Sequence, residues 1–342
     1  MRMKRTIAWI AAALFLSAVI TSVRALAQSD ADQFLPLESS HAVIDGATPG
    51  GADSIAAAPS APAGRPFFNR QLKWASIAIL ASIAAGFLVR FKRTRRLRLV
   101  FLLASVAVLG FYNGACPCPI QSFMNFVRLA VGKAVSWKSL VYFAGLIPVT
   151  YIFGKTWCGW VCHMGALQEF LHLPARFTLL RSARAIRAMR AIRFALFAAL
   201  IAWVAVTKVA AWCRYDPFRT AYTLSSGTTV GWILLGLLVL LSLFIYRPFC
   251  KAFCPIGLAL GWVSRLPGAS VLGLGRECPV CLSCEKACRI DAILQDGDSY
   301  SLDNAECVAC GDCMDACRLG GIAFFRKSKK HPSKFRCFRP SS

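Results

Sequence analysis

The sequence predicts a polytopic bundle of membrane-spanning α-helices joined to a small cysteine-rich α+β domain. Three observations predict it. Of 342 residues, 57% are hydrophobic and the formal net charge is +24; apolar bulk with basic charge marks membrane helices joined by cationic loops. Five apolar runs, 72–89, 99–115, 137–153, 194–212 and 230–246, each approach the length a helix needs to cross a bilayer. A spacing of C-x2-C-x2-C-x3-C occurs at Cys278, Cys281, Cys284 and Cys288 and again at Cys307, Cys310, Cys313 and Cys317. A nucleic-acid binder would share the charge but not the apolar runs, so no nucleic-acid partner is expected.

Residues 1–27 read as a signal sequence or an uncleaved anchor, with a basic start, an apolar middle and Ala25-Leu26-Ala27 as an A-x-A site. Residues 28–70 are rich in Ala, Pro, Gly, Ser and Asp, too poor in large apolar groups to bury a core, and are expected to be disordered outside the cell membrane. The membrane domain covers 71–265. Basic residues set its orientation. Lys92, Arg93, Arg95, Arg96 and Arg98 separate the first two runs, Arg176, Arg181, Arg184, Arg187, Arg190 and Arg193 separate the third and fourth, and Arg247 and Lys251 follow the fifth. The opposite loops carry only Arg128, Lys133, Lys138, Arg214 and Arg219. The positive-inside bias then places the C-terminal domain in the cytoplasm of a bacterial inner membrane, with several passes. Arginine at every third position from Arg181 to Arg193 predicts a helix lying along anionic headgroups, or a face for an acidic partner. The small domain covers 270–325, and 326–342 is expected to be a flexible basic tail.

Three thiolates three residues apart wrap an iron–sulfur cube, and a fourth beyond a chain reversal reaches the neighbouring one. Two [4Fe–4S] clusters are therefore expected. Zinc would use paired C-x2-C motifs and leave the extra cysteines unexplained. Cluster-type spacing also argues for a reducing compartment rather than a disulfide framework. A second set, Cys158 with Cys162 and Cys250 with Cys254, forms two C-x3-C motifs just past the third and fifth runs. On a helix that spacing puts both sulfurs on one face. A third cluster or metal, a redox-active thiol pair and plain buried thiols in helix packing are the readings open to it. Cys116 and Cys118, in Gly-Ala-Cys-Pro-Cys-Pro, are expected at the outer border as a metal or redox site, a strained disulfide, or a tight proline-rich turn. Cys213 is a candidate partner for either, and Cys337 has no assigned role.

The C-terminal run resembles the bacterial two-cluster ferredoxin module: Cys288-Arg289 leads to Ile293 as Cys317-Arg318 leads to Ile322. By that resemblance Cys278, Cys281, Cys284 and Cys317 hold one cluster, and Cys307, Cys310, Cys313 and Cys288 hold the other. Arg289 and Arg318 stand where that family has proline. Residues 70–325 as a whole resemble the NapH and NosR families of membrane iron–sulfur proteins: Trp157 and Trp160 flank the first C-x3-C, and Pro255 follows the second. His163 replaces the first motif's proline, as a ligand or as a polar residue at the interface. The resemblance implies a quinol-dehydrogenase-type component, an oxidoreductase subunit rather than a stand-alone enzyme. It would pass electrons between the quinone pool and a respiratory redox partner, with quinone in an apolar groove beside the C-x3-C motifs. Two alternatives remain: a maturation factor that reduces metal or thiols during assembly of a respiratory enzyme, and a redox-sensing membrane regulator.

Overall fold

The computed structural model describes residues 66–115, 118–172, 182–209, 212–225, 229–274, 281–296, 299–328 and 334–338. The expected signal sequence and nearly all of the 28–70 segment lie outside the described residues. The chain divides into two compact units, 1–69 and 70–342, and every cysteine belongs to the second.

All five apolar runs are helical. α1 is Pro66–Leu88, α2 is Arg98–Ser105 and continues as a π-helical segment Val106–Tyr112, and α4 is Val141–Phe153. α6 is Ala183–Thr207 and α9 is Thr229–Phe244. α6 alone among the described residues is long and apolar enough to cross a membrane, with a mean hydropathy of 1.9. Its 25 residues rise about 37 Å, more than the ~30 Å of a bilayer's hydrocarbon. Only 22% of its apolar window is buried, and Trp203 and Val206 lie open on it, so most of its apolar surface is not spent on a protein core.

α6 corrects one expectation. The arginine-rich stretch is not a helix of its own but the first half of one continuous with the fourth apolar run. Ser182 caps the helix by accepting from the Ala185 amide, and each gap between the arginines from Arg184 to Arg193 holds one alanine and one isoleucine or methionine. With no breaker present, the stretch runs straight into the fourth apolar run.

Short helices complete the bundle: α3 (Pro119–Ala130), α5 (His163–Leu171), α7 (Trp212–Tyr215), α8 (Pro217–Thr223), α10 (Pro248–Ala252) and α11 (Pro255–Val263). Their order reveals a duplication. A long helix, a short helix opened by proline, a second apolar helix, a C-x3-C turn and a short helix occur once over 98–171 and again over 183–263. Pro119 and Pro217 occupy corresponding first-turn positions, where the missing amide costs nothing.

The C-terminal domain contains β1 (Ser270–Leu274), α12 (Ser283–Ala287), β2 (Ile293–Asp296), β3 (Ser299–Asp303), α13 (Asp312–Ala316), β4 (Ile322–Arg326) and β5 (Lys334–Phe338). β1 pairs antiparallel with β4, Ser270 opposite Arg326 and Leu274 opposite Ile322. β2 pairs antiparallel with β3, Ile293 opposite Leu302, and β3 with β5, Asp303 opposite Lys334. The outer and inner pairings fold the two cysteine runs together, α12 against α13, over a core of Leu272, Ala292, Ile293, Leu302 and Ile322. Two boundaries move. β4 ends at Arg326, and the tail expected to be loose contributes β5 as a third strand.

Candidate metal centre

The two C-x3-C motifs converge on one cavity. Cys158 sits in a single π-helical turn, Trp157–Val161, and Cys162 is the N-cap of α5. Cys250 sits in α10 and Cys254 is the N-cap of α11, its sulfur accepting from the Gly257 amide at 3.4 Å. Each pair therefore straddles the break between two short helices, not one continuous helix face. All four cysteines line a cavity of about 50 Å³, several times what one water needs. Lys155, Arg190, Arg193 and Lys251 share that lining with Asp291 and Glu306.

Buried charges fix the walls. Glu169 accepts from Arg247 at 2.5 Å and from Arg98 at 2.7 Å. The same arginines donate to the first C-x3-C turn, Arg247 to the Cys158 carbonyl at 2.7 Å and Arg98 to the Gly159 carbonyl at 3.0 Å. Arg247 is fully buried and held at a left-handed φ of 50°. Burial works against ionisation of Glu169, but Arg247 and Arg98 outweigh it and hold the carboxyl at about 2.

The C-terminal domain is clamped onto both turns. A Cβ on Gly159 would run into the Val308 carbonyl, and one on Gly261 would meet the Ala305 carbonyl at 2.6 Å. Trp160 Nε1 donates to the Ala309 carbonyl at 3.1 Å, and Lys155 donates to the Ala305 carbonyl. Arg193 pairs with Glu306 at 2.5 Å and donates to the Cys250 carbonyl at 3.3 Å. Arg190 lies 3.8 Å from both Asp303 and Glu306. Two arginines of the every-third-residue series thus bind acidic groups of this chain, while Arg184 and Arg187 stay exposed.

Among the C-terminal cysteines, Cys288, Cys307, Cys310 and Cys313 lie close enough for their charges to act on one another, and Cys288 and Cys313 are buried. Cys284 and Cys317 pack against the same core, whereas Cys281 is exposed and bonded to Ser283. Cys278 lies outside the described residues.

Other predicted positions fare differently. Cys118 is the buried N-cap of α3, and the next two residues, Pro119 and Ile120, line the cavity. It therefore stands on the C-x3-C side of the bundle and not at the opposite border, because α3 folds back into the bundle from the far end, where Arg128 bonds the Lys208 carbonyl at 3.0 Å. Cys116 and the side chains of Cys213 and Cys337 lie outside the described residues. His163 is fully buried, packs on Tyr222 at 5.6 Å and has no bonded ring nitrogen, and burial draws its pKa down to about 4. It neither lines the cavity nor sits at an interface. Lys155, Glu169, Arg98, Arg247 and Glu306 are not legible as site residues in the sequence. The only signal there is Lys155 and Arg247, each a basic residue three positions before a C-x3-C motif.

The donor set fits an iron–sulfur centre. Four soft thiols with no nitrogen or oxygen ligand favour such a cluster or zinc. Burial pushes the thiols of Cys158, Cys162 and Cys254 up to about 12 and raises Cys250 as well, so only a bound cationic centre would make them thiolates. The eight-cysteine repeat that accompanies them has the spacing of clusters and not of zinc sites. The class is an iron–sulfur protein.

Known proteins give the same class. A family described as a 4Fe-4S binding domain matches residues 135–181 and 228–271, which contain the two C-x3-C motifs and stop short of the C-terminal cysteines. Protein NirI of Paracoccus denitrificans (strain Pd 1222) is 26% identical over 311 residues, 80% of this chain and 43% of NirI. Regulatory protein NosR of Stutzerimonas stutzeri is 25% identical over 220 residues, and that of Pseudomonas aeruginosa 28% over 222, each covering 59% of this chain and 30% of NosR. The chain thus spans under half the length of NirI and about a third of NosR. No solved structure matches it. The chain is an iron–sulfur protein similar to NirI and NosR over part of their length.

Proposed function

We propose that this protein carries electrons across the edge of a membrane, between the quinone pool and a respiratory redox partner. α1, α2 with its π-helical extension, α4, α6 and α9 are its five spans, and the C-terminal domain lies in the cytoplasm. The basic loops beside that domain support this orientation, as does the apolar surface of α6. Cys278, Cys281, Cys284 and Cys317 hold a distal [4Fe–4S] cluster and Cys288, Cys307, Cys310 and Cys313 a proximal one. Cys158, Cys162, Cys250 and Cys254 hold a third centre at the membrane edge. When bound, these centres supply one-electron transfer. The chain's own residues supply the rest. The thiols ligate, Gly159 admits the 304–310 segment against the first C-x3-C turn and Gly261 admits it against α11, and the Arg98–Glu169–Arg247 group fixes the first turn.

The observation that carries this reading is the clamping of that segment, which contains Cys307 and Cys310, directly over the four-cysteine cavity. It leaves no gap in the protein between membrane-edge and proximal ligands. An anaerobic iron and sulfide count with EPR tests it. About twelve irons are expected; about eight would remove the third centre, and zinc in their place would remove the function.

One observation favours a second reading. Both NosR relatives are called regulatory proteins, and Arg184 and Arg187 are exposed on α6 as a contact face for a redox-sensing regulator. Partner binding that stays constant between oxidised and reduced protein would dismiss it.

A further inference from the structure

Lys155 occupies the junction of three cysteine runs. It lies three residues before Cys158. Its ammonium donates to the Gly257 carbonyl at 3.5 Å, three residues after Cys254, and to the Ala305 carbonyl, two residues before Cys307. The residue is buried, 4% exposed, and lines the cavity with all four membrane-edge cysteines.

The other cavity cations are neutralised. Arg193 is paired with Glu306 at 2.5 Å, Lys251 with Asp291, and Arg190 lies 3.8 Å from Asp303 and Glu306. Among the described residues no carboxylate reaches ion-pair distance of Lys155, whose ammonium is bonded to carbonyls instead. It is therefore held in no direct ion pair, although it acts across the cavity on the Glu306 carboxylate, and burial shields it from salt. The same charge acts on Cys158 and Cys250 on one side and on Cys307 on the other.

We infer that Lys155 is a shared positioning charge that sets the reduction potentials of the membrane-edge centre and the proximal ferredoxin cluster together. This rests on the proposed reading of the C-x3-C cysteines as a third centre. Each one-electron reduction adds one negative charge to whichever centre takes the electron, and the ammonium stabilises that charge. When an electron passes between the two, one centre is oxidised by the electron that reduces the other. Because the cation serves both ends, it raises both potentials and changes the driving force between them little. The distal cluster, with exposed Cys281, lies outside its reach.

The test is an EPR-monitored redox titration of the purified, cluster-loaded full chain, with Cys250→Ser and Cys281→Ser used to assign the membrane-edge and distal signals. In Lys155→Met both the membrane-edge and proximal centres are expected to become harder to reduce. The reduced-to-oxidised ratio at fixed poise should fall about tenfold at each, 59 mV for one electron, with the distal signal unmoved. Lys155→Arg should restore both. A shift of one centre alone, of none, or of all three equally overturns the proposal. If Lys155→Met loads poorly, Lys155→Gln, which keeps a donor for the carbonyls, gives the same readout. Loss of clusters from both, with full loading of Lys155→Arg, also overturns it, since Lys155 would then be needed for assembly. An iron content of about eight in the wild-type protein overturns the underlying reading, and the proposal falls with it. About twelve irons with unchanged potentials sinks the proposal alone.

Discussion

The two cysteine systems of this chain are built by different means. In the C-terminal domain each run is local: cysteines three residues apart on a turn and a one-turn helix, α12 or α13, brought together by the β1–β4 and β2–β3 pairings. The membrane-edge set is assembled across the duplication, two sulfurs from each half, and its geometry depends on helices far apart in sequence. A local motif carries its own geometry. A distributed one depends on buried charges and close backbone contacts, here Glu169 with its two arginines and the glycines that admit the 304–310 segment. If the C-x3-C cysteines hold the proposed membrane-edge centre and the C-terminal cysteines the two proposed clusters, substitutions in that support should damage the first and leave the others as an internal control.

Glu169→Ala should break the comparison most sharply. It strands the fully buried Arg247 and, among the described residues, leaves Arg98 only the Asp312 carboxylate, at 4.0 Å, and removing one partner of a buried ion pair costs about 3–5 kcal/mol. Thermal unfolding in detergent should show that loss, and the membrane-edge EPR signal should vanish while the distal signal persists. Equal loss of both would show that the two systems fold as one. Acid provides a reversible version of the same test. The Glu169 carboxyl is held at about 2 against an ordinary 4.5, so the folded state binds its proton less readily than the unfolded chain. Its stabilisation is present above pH 4.5 and is lost as the pH falls toward 2, about 3 kcal/mol in all. Glu169→Gln should remove that part of the acid sensitivity, read as the shift in unfolding temperature between pH 5 and pH 3.

The same contrast governs what is legible in the sequence. The five helical runs and the eight-cysteine repeat are written in local pattern, apolar length in one case and spacing in the other. The bundle's duplication does not stand out in that pattern, although Pro119 and Pro217 open corresponding helices. The segment 113–136 reads as an outer loop when only its polarity is weighed, which is why Cys118 is expected at the wrong border. Arg190 and Arg193 look like a lipid-facing series because their carboxylates, Asp303 and Glu306, lie more than a hundred residues away. Charge spacing along a helix gives the face but not what covers it. Lys155 leaves only its place three residues before Cys158 as a trace, since its partners are carbonyls and any residue supplies those.

Gly159→Ala is the next smaller effect and tests the clamp itself. The new methyl group would meet the Val308 carbonyl, which is backbone, so the 304–310 segment must move away at a cost of about 1–3 kcal/mol. Amide exchange across 304–310 should quicken, and magnetic coupling between the membrane-edge and proximal signals should weaken without loss of either. Unchanged exchange would mean that the segment is held by its ion pairs and not by the close fit.

Trp160→Phe should have the most local effect, and its specificity is its value. It keeps an aromatic ring near Phe101, now 5.8 Å between centroids, but removes the Nε1 donor to the Ala309 carbonyl together with part of a fully buried ring system, which adds a cavity cost. A single neutral hydrogen bond contributes about 1 kcal/mol, somewhat more if the buried acceptor is left unsatisfied. Because Ala309 lies between Cys307 and Cys310, the freed carbonyl sits within the proximal ligand loop and far from Cys281. The proximal signal should broaden while the distal one keeps its line shape. Broadening of the distal signal instead would place the docked face on the other cluster and reverse the order of the relay.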